Sequence, residues 1–205
     1  MAYSDFTLRK AAQDFQLNVM QGKLLSDFQP ISPSDYLIQF LEKSLPLAIA
    51  SGSEKARSEM IICPILIEVR EILQQQASLF SGIDFTVEPE LGLNGICDFI
   101  ISKSPEQILI EAPVIVIVEA KKDDLNSGMG QCVAEMVAAQ KFNQKQDNIS
   151  TIIYGSVTTG SLWRFLKLDH QNVIIDLTEY PVYPVDRILG MFVGMISDLT
   201  MLNDS

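Results

Sequence analysis

The sequence has 205 residues, of which 47% are hydrophobic and 20% are charged, so it can build one domain around a core and is too apolar for a disordered chain. Its formal net charge of −11 argues against unaided binding to nucleic acid, so contact with DNA would need a local basic patch, a partner protein or a bound metal. No run approaches the roughly 18 apolar residues that cross a bilayer, and residues 1–10 lack the apolar region of a signal peptide, so we expect no membrane segment and a cytoplasmic protein.

The N-terminal part of the chain is predicted to be helical. Residues 4–23 mix apolar and polar side chains as a helix does, and a second helix is predicted over residues 36–45. A long helical stretch then covers residues 51–79, and Pro64 should kink it or divide it. Residues 1–50 are therefore interpreted as a helical segment that packs on the core of the following domain.

The rest of the chain alternates predicted strands with helices. Strands are predicted at residues 83–87, 95–102, 114–121, 149–157, 162–168 and 173–177, and helices at residues 129–143 and 185–202. This order, with a crossover helix after the central strand, predicts an α/β domain with a mixed sheet over residues 51–205. Because the last helix is apolar on most sides, it is also a candidate surface for a homodimer.

The strand predicted from Val114 is the most informative segment. Its run of five β-branched residues, 114–118, is typical of a strand that is buried on both faces. The strand ends in Glu119 and Lys121, which lie two residues apart and therefore share one face. Asp98 is a lone acid in the preceding apolar strand. Charges at such positions are costly to bury unless they meet a partner or a metal, so they indicate a metal-dependent site that cleaves phosphodiesters, with an ordinary solvated strand end as the alternative.

Cysteine and histidine content disfavours other chemistries. The three cysteines, Cys63, Cys97 and Cys132, have no metal-binding spacing and are predicted to be reduced core thiols. The single histidine, His170, lies in a polar turn, so serine and cysteine hydrolase mechanisms would both have to use a loop residue. No phosphate-binding loop with a terminal Gly-Lys-Ser or Gly-Lys-Thr is present.

The combination of Asp98 with Glu119-Ala120-Lys121, followed by a helix that begins near Gln131, resembles the PD-(D/E)XK nuclease superfamily. It looks most like the nuclease domains of type I restriction-enzyme motor subunits and related bacterial proteins. The resemblance covers roughly residues 53–168 and implies a restriction-endonuclease-like fold, in which helices flank a central mixed β-sheet. The residue before Asp98 is cysteine rather than the proline of the motif name, and no helicase or specificity segment is attached.

The residue types suit phosphodiester hydrolysis. Asp98 and Glu119, with the Ala120 carbonyl, would bind Mg²⁺ (or Mn²⁺) through hard oxygen ligands. Lys121 would orient or deprotonate the attacking water and offset charge in the transition state. Gln131 would hydrogen-bond a phosphate oxygen or hold Lys121 in place.

Two other acids, Glu59 and Glu135, lie on the predicted helices before and after these strands. The resemblance makes Glu59 the helix acid that positions a second metal or an outer water, but an exposed pair with Lys55 or Arg57 explains it equally well. Glu135 is predicted to face solvent. Two functions remain open for the chain: a metal-dependent deoxyribonuclease of restriction, repair or defence, and a non-catalytic nuclease-fold module that binds nucleic acid or a protein partner.

Overall fold

The computed structural model describes residues 1–24, 28–148 and 152–201. The helices are α1 (Leu8–Asp14), α2 (Asp35–Ser51), α3 (Glu54–Arg57), α4 (Cys63–Ile72), α5 (Leu125–Lys145) and α6 (Asp186–Met201). The strands are β1 (Asn18–Gln21), β2 (Ser78–Asp84), β3 (Ile96–Ser102), β4 (Val114–Ala120), β5 (Ile152–Thr158), β6 (Leu162–Asp169), β7 (Asn172–Ile175) and β8 (Tyr180–Pro181). Short 3₁₀ turns lie at Tyr3–Asp5 and Pro89–Leu91, and a π-helical turn lies at Ser58–Ile62.

The strands form one mixed sheet. Seven of them lie in the order β1-β7-β6-β5-β4-β3-β2, and β8 pairs with β6 off this path. The pairs β1–β7 and β4–β5 are parallel, whereas the other neighbours are antiparallel. The prediction of an α/β chain with a mixed sheet flanked by helices is confirmed.

Helices cover both faces of the sheet, which explains the apolar run in β4. Val116 and Val118 point to a core that α2, α4 and α6 cover, and Ile117 points to a second core beneath α1 and α5. All seven residues of β4 are buried. A strand enclosed on both sides needs apolar residues in succession rather than in alternation.

The predicted helix over residues 4–23 is wrong in its second half. Helix α1 ends at Asp14, Gln16 takes a left-handed conformation with φ 54°, and Asn18–Gln21 form β1 beside β7. All four residues of this edge strand are exposed, so no alternation of apolar and polar side chains marks it in the sequence. Residues 1–50 therefore contribute a strand to the sheet in addition to helices.

The predicted helix over residues 51–79 is interrupted and ends early. A π-helical turn, Ser58–Ile62, separates α3 from α4, and Pro64 lies in the first turn of α4. Proline cannot donate to the carbonyl four residues back, and the Ser44 hydroxyl donates to that Met60 carbonyl instead, at 2.7 Å. Helix α4 ends at Ile72, and β2 begins at Ser78 rather than at the predicted residue 83.

The C-terminal half follows the prediction closely. Strands β5, β6 and β7 lie where they were expected, although residues 149–151 and 202 of the predicted elements lie outside the described residues. Phe192 of α6 packs edge-on against Trp163 and Phe165, and the backbone at Gln29 lies against Gly190. The apolar face that motivated the homodimer prediction is thus largely covered within the chain, and the dimer itself stays a prediction. Among the described residues, no helix combines the length and apolar character needed to cross a membrane.

Candidate active site

The site lies at the end of β4, where the ladder with β3 stops. The last paired residues are Phe99 and Val118. Beyond them the Asp98 carboxylate takes the place of a strand partner, because its Oδ2 accepts a hydrogen bond from the Ala120 backbone N–H at 2.8 Å. The Lys121 backbone N–H donates to the Thr158 carbonyl on β5 at 2.8 Å. The segment 119–121 is therefore held between two neighbouring strands.

Glu119 and Lys121 form an ion pair on one face of the sheet. The Lys121 ammonium donates to Glu119 Oε1 at 2.5 Å. The Glu119 side chain is 1% exposed and that of Lys121 is 20% exposed, so only the lysine reaches solvent. Among the described residues, Glu119 Oε2 has no hydrogen-bond partner. The predicted common face of these two residues is confirmed.

Helix α5 extends this pair into a chain of hydrogen bonds. Gln131 Oε1 accepts from the Lys121 ammonium at 3.3 Å, and Gln131 Nε2 donates to Glu135 Oε1 at 3.0 Å. The prediction that Glu135 faces solvent is wrong, since the residue is completely buried. The sheet and the N-terminal segment enclose α5, so the helix has no solvent-facing side at this position.

Burial and crowding of like charges control the electrostatics. Burial, reinforced by the charges of Glu135 and Asp98, raises the pKa of Glu119 well above its usual range. Burial likewise raises the pKa of Glu135 to about 8, against the opposing hydrogen bond from Gln131. Burial acts to lower the pKa of Lys121, but the Glu119 charge and hydrogen bond outweigh it, and the net shift is upward. These shifts favour the charged form of Lys121 and the protonated forms of Glu119 and Glu135.

The structure places Glu54, rather than Glu59, beside the strand end. Glu59 pairs with Lys55 at 3.0 Å and its side chain is 58% exposed, as expected of an ordinary surface acid. A cleft of about 160 Å³ is lined on the sheet side by Asp98 and Ala120, and on the helix side by Glu54. The Glu54 charge also contributes to the raised pKa of Lys121.

A signal for Glu54 is present in the sequence. Ser53 caps α3, because its side chain accepts from the Ala56 N–H, and this fixes Glu54 in the first turn. Glu59 follows five residues later, where its exposed side chain pairs with Lys55 and does not line the cleft.

The donors partly fit a divalent ion. Asp98 and Glu119 offer the hard oxygen ligands that Mg²⁺ prefers. The buried Glu119 Oε2 has no hydrogen-bond partner among the described residues and is therefore free to bind an ion. Within residues 1–24, 28–148 and 152–201, however, no group of three or more acid, cysteine or histidine side chains is placed to hold a metal. Asp98 and Glu119 are therefore candidate ligands that no third acid, cysteine or histidine of the described residues joins in one group.

Close packing confines Lys121 and the turn after it. A Cβ placed on Gly128 would lie 3.0 Å from Lys121 Cγ and 2.7 Å from Val157 Cγ1, so only glycine leaves room for the lysine stem. Arg164, which is buried on β6, donates to the Asn126 side chain at 2.7 Å and thereby anchors the start of α5. Neither residue was singled out from the sequence.

The remaining reactive residues lie apart from this chemistry or are inert. His170 is exposed in the turn between β6 and β7, as predicted. Cys97 and Cys132 are unpaired and buried, and burial raises the pKa of both thiols. They are core residues, as predicted.

Sequence comparisons gave no relatives: no protein-family model matches the chain, and no curated protein matches it significantly.

Proposed function

We propose that this chain is a Mg²⁺- or Mn²⁺-dependent phosphodiesterase that acts on DNA, with a restriction-endonuclease-like fold of the PD-(D/E)XK type. The observation that carries the proposal is the arrangement at the end of β4. There Glu119 and Lys121 share one face of the sheet, and the Asp98 carboxylate accepts a hydrogen bond from the backbone N–H of Ala120, the residue between them. Burying such a group of charges is costly, and proteins retain perturbed, buried ionisable clusters mainly at functional sites.

The order of elements supports the same proposal. Helices α3 and α4 precede the antiparallel strands β2, β3 and β4, and α5 follows immediately. The resemblance implies this order, and it also implies a glutamine on the following helix that faces the site. Gln131 contacts the Lys121 ammonium from that helix.

Each residue has a role that its position allows. Asp98 and Glu119, with the Ala120 carbonyl, would hold the divalent ion, which would lower the pKa of a bound water and polarise a phosphoryl oxygen. Lys121, which remains charged and reaches solvent, would orient the attacking water and offset charge on the phosphate.

The opposing observation favours the second candidate, a non-catalytic nuclease-fold module that binds nucleic acid or a protein. The described residues do not assemble three metal ligands, and Lys121 already neutralises Glu119 internally. The net charge of −11 also weakens binding to DNA, so a partner protein would have to supply most of the affinity for nucleic acid. In this candidate the chain keeps the outline of the site without its activity.

Cleavage assays separate the two candidates. The purified protein is incubated with linear, nicked and single-stranded DNA at low salt, with Mg²⁺ or Mn²⁺. Lys121→Ala should keep metal binding but lose about 10²–10³ in rate, because one positioned charge acts in the transition state. Glu119→Ala should lose both metal binding and cleavage. If the wild-type protein cleaves none of these DNAs, the nuclease proposal fails.

A paired substitution tests which helix acid takes part. Glu54→Gln should lower cleavage, because Glu54 lines the cleft with Asp98 and Ala120. Glu59→Gln changes the same charge five residues away on an exposed side chain and should have little effect. A larger loss in Glu59→Gln than in Glu54→Gln would restore Glu59 as the participating acid.

A further inference from the structure

Three side chains connect the end of β4 to the interior of α5 in a fixed direction. The Lys121 ammonium donates to Gln131 Oε1 at 3.3 Å, and Gln131 Nε2 donates to Glu135 Oε1 at 3.0 Å. An ammonium can only donate hydrogen bonds, so only the oxygen of the Gln131 amide can satisfy Lys121, and the Gln131 NH₂ group is left to donate to an oxygen of Glu135. The Gln131 amide therefore satisfies both neighbours in one orientation alone, with its oxygen towards Lys121.

Packing does not explain the acid at the far end of this chain. Glu135 is completely buried, and its Oε2 has no hydrogen-bond partner among the described residues. The residues three and four positions away on its side of the helix include Cys132, Ala138 and Ala139, which are all buried and apolar, so an apolar side chain would suit the same space. Burying a carboxyl group with an unsatisfied oxygen costs free energy, and this cost calls for a compensating role.

We propose that Glu135 is a positioning residue: by accepting the Gln131 amide, it keeps the Gln131 oxygen facing Lys121 and holds the ammonium at the end of β4. Lys121 is the residue that acts on the reacting atoms, so this inference rests on the proposed function. Without the acceptor at position 135, the Gln131 amide can turn its NH₂ group towards the ammonium. That orientation places two donors against each other, and Glu119 is left to hold Lys121 alone.

Matched substitutions distinguish orientation from charge and from bulk. Glu135→Gln keeps an acceptor oxygen for Gln131, whereas Glu135→Met removes it and retains an unbranched side chain of similar size. Gln131→Met breaks the same chain one step nearer the lysine. Glu135→Ala removes the acceptor oxygen in a second way, with a smaller side chain. Glu42→Gln, on the exposed face of α2, is the control for a lost surface charge.

The first measurement does not depend on activity. The order of the Lys121 side chain is followed by ¹³C NMR relaxation at its Cε, at one pH and in the presence of a chelator, with the signal assigned by its absence in Lys121→Arg. Glu135→Gln and Glu42→Gln should leave the order unchanged. Glu135→Met, Glu135→Ala and Gln131→Met should lower it to a similar extent.

The second measurement is DNA cleavage, with kcat and KM determined separately. Loss of one hydrogen bond to a charged group corresponds to roughly tenfold or more in kcat. We expect this loss in Glu135→Met and Gln131→Met with KM nearly unchanged, and near wild-type values in Glu135→Gln. The double variant Gln131→Met/Glu135→Met should be no worse than either single variant, because both break one chain.

The outcomes separate the inference from the proposed function. A wild-type protein that cleaves no DNA, but in which Glu135→Met loosens Lys121, overturns the nuclease proposal and supports the positioning role. Unchanged Lys121 order in folded Glu135→Met and Glu135→Ala overturns the positioning role whatever the activity. Equal loss in Glu135→Gln and Glu135→Met also overturns it, because charge rather than orientation would then be the cause.

Discussion

The buried carboxyl group of Glu135 should make the stability of the protein depend on pH in a defined direction. Burial raises its pKa from 4.5 to about 8 in the folded chain, whereas the unfolded chain keeps the ordinary value. A group with a raised folded pKa contributes its full stability below the unfolded pKa and loses it as the pH rises through the folded pKa. The contribution of Glu135 should therefore disappear between about pH 4.5 and pH 8.

The magnitude follows from the size of the shift. At about 1.4 kcal/mol for each pKa unit, a shift from 4.5 to about 8 sets an upper limit of roughly 5 kcal/mol at alkaline pH. Glu119 shares protons with Glu135 and water relaxes around buried charges, so we expect about 2–3 kcal/mol. Glu135→Gln removes the titration but keeps an acceptor for Gln131. Its free energy of unfolding should exceed that of the wild type by an amount that grows with pH.

Urea denaturation at several pH values from 5 to 9, with a chelator present, measures this difference directly. Titration of the acids that do not interact with Glu135 affects both proteins alike, so the difference between the two curves reports the buried pair of Glu135 and Glu119. Glu42→Gln provides the matched control, because the Glu42 side chain is exposed. If the wild-type and Glu135→Gln curves run parallel over this range, Glu135 does not carry a raised pKa and the electrostatic account of the site is wrong.

Three further substitutions test the metal site and the packing around it. Saturating Mg²⁺ or Mn²⁺ should raise the melting temperature of the wild-type protein but not of Asp98→Asn, and an unchanged response in the variant would place the ion elsewhere. Gly128→Ala forces a Cβ to within 2.7 Å of a Val157 methyl, so thermal denaturation should show a loss of about 1–3 kcal/mol. The Asn143 side chain accepts from the Val114 N–H and donates to the Val114 C=O, both at 2.8 Å, and Asn143→Ala leaves these buried groups unpaired. Urea denaturation should therefore show a loss of about 2–4 kcal/mol in the free energy of unfolding. An effect below about 0.5 kcal/mol would contradict the described hydrogen bonds.

The parts of the site that were predicted from sequence are those whose patterns are local. The apolar run 114–118 followed by Glu119 and Lys121 predicts both the buried strand and the shared face, because alternation along a strand depends only on neighbouring residues. Gln131 was expected either to hydrogen-bond a phosphate oxygen or to hold Lys121, because it lies early in the next predicted helix, and the structure shows the contact with Lys121. Such features need no knowledge of the tertiary fold.

Glu135 was missed because its burial depends on what encloses α5. An acid four residues after Gln131 is on the same side of the helix, and an acid on a helix is usually exposed. The sheet and the N-terminal segment cover α5 from opposite sides, which no local pattern shows. One signal was available: Glu135 is the only charged residue between Asp124 and Lys141, as Asp98 is the only charge in its strand.

The early end of the second long helical stretch was missed for a different reason. Gln74 and Gln75 both take left-handed conformations, with φ 52° and 59°, and so reverse the chain before β2. Glycine or asparagine usually occupies such left-handed positions, and two glutamines therefore do not predict a turn. The strand that follows was therefore placed five residues too late, at residue 83 instead of Ser78.

The π-helical turn between α3 and α4 makes the two walls of the cleft unequal in stiffness. The sheet wall ends beside Lys121, where the packing is tight: α5 approaches Lys121 through Gly128 and approaches the Phe6 backbone through Gly130 without space for a single methyl group. The helix wall, which carries Glu54, is a four-residue helix joined to α4 through a wide turn with longer hydrogen-bonded rings. When the cleft adjusts to a ligand, we therefore expect the Glu54 side to move towards a stationary strand, and a substitution that tightens this turn would change the geometry of closure without touching β4.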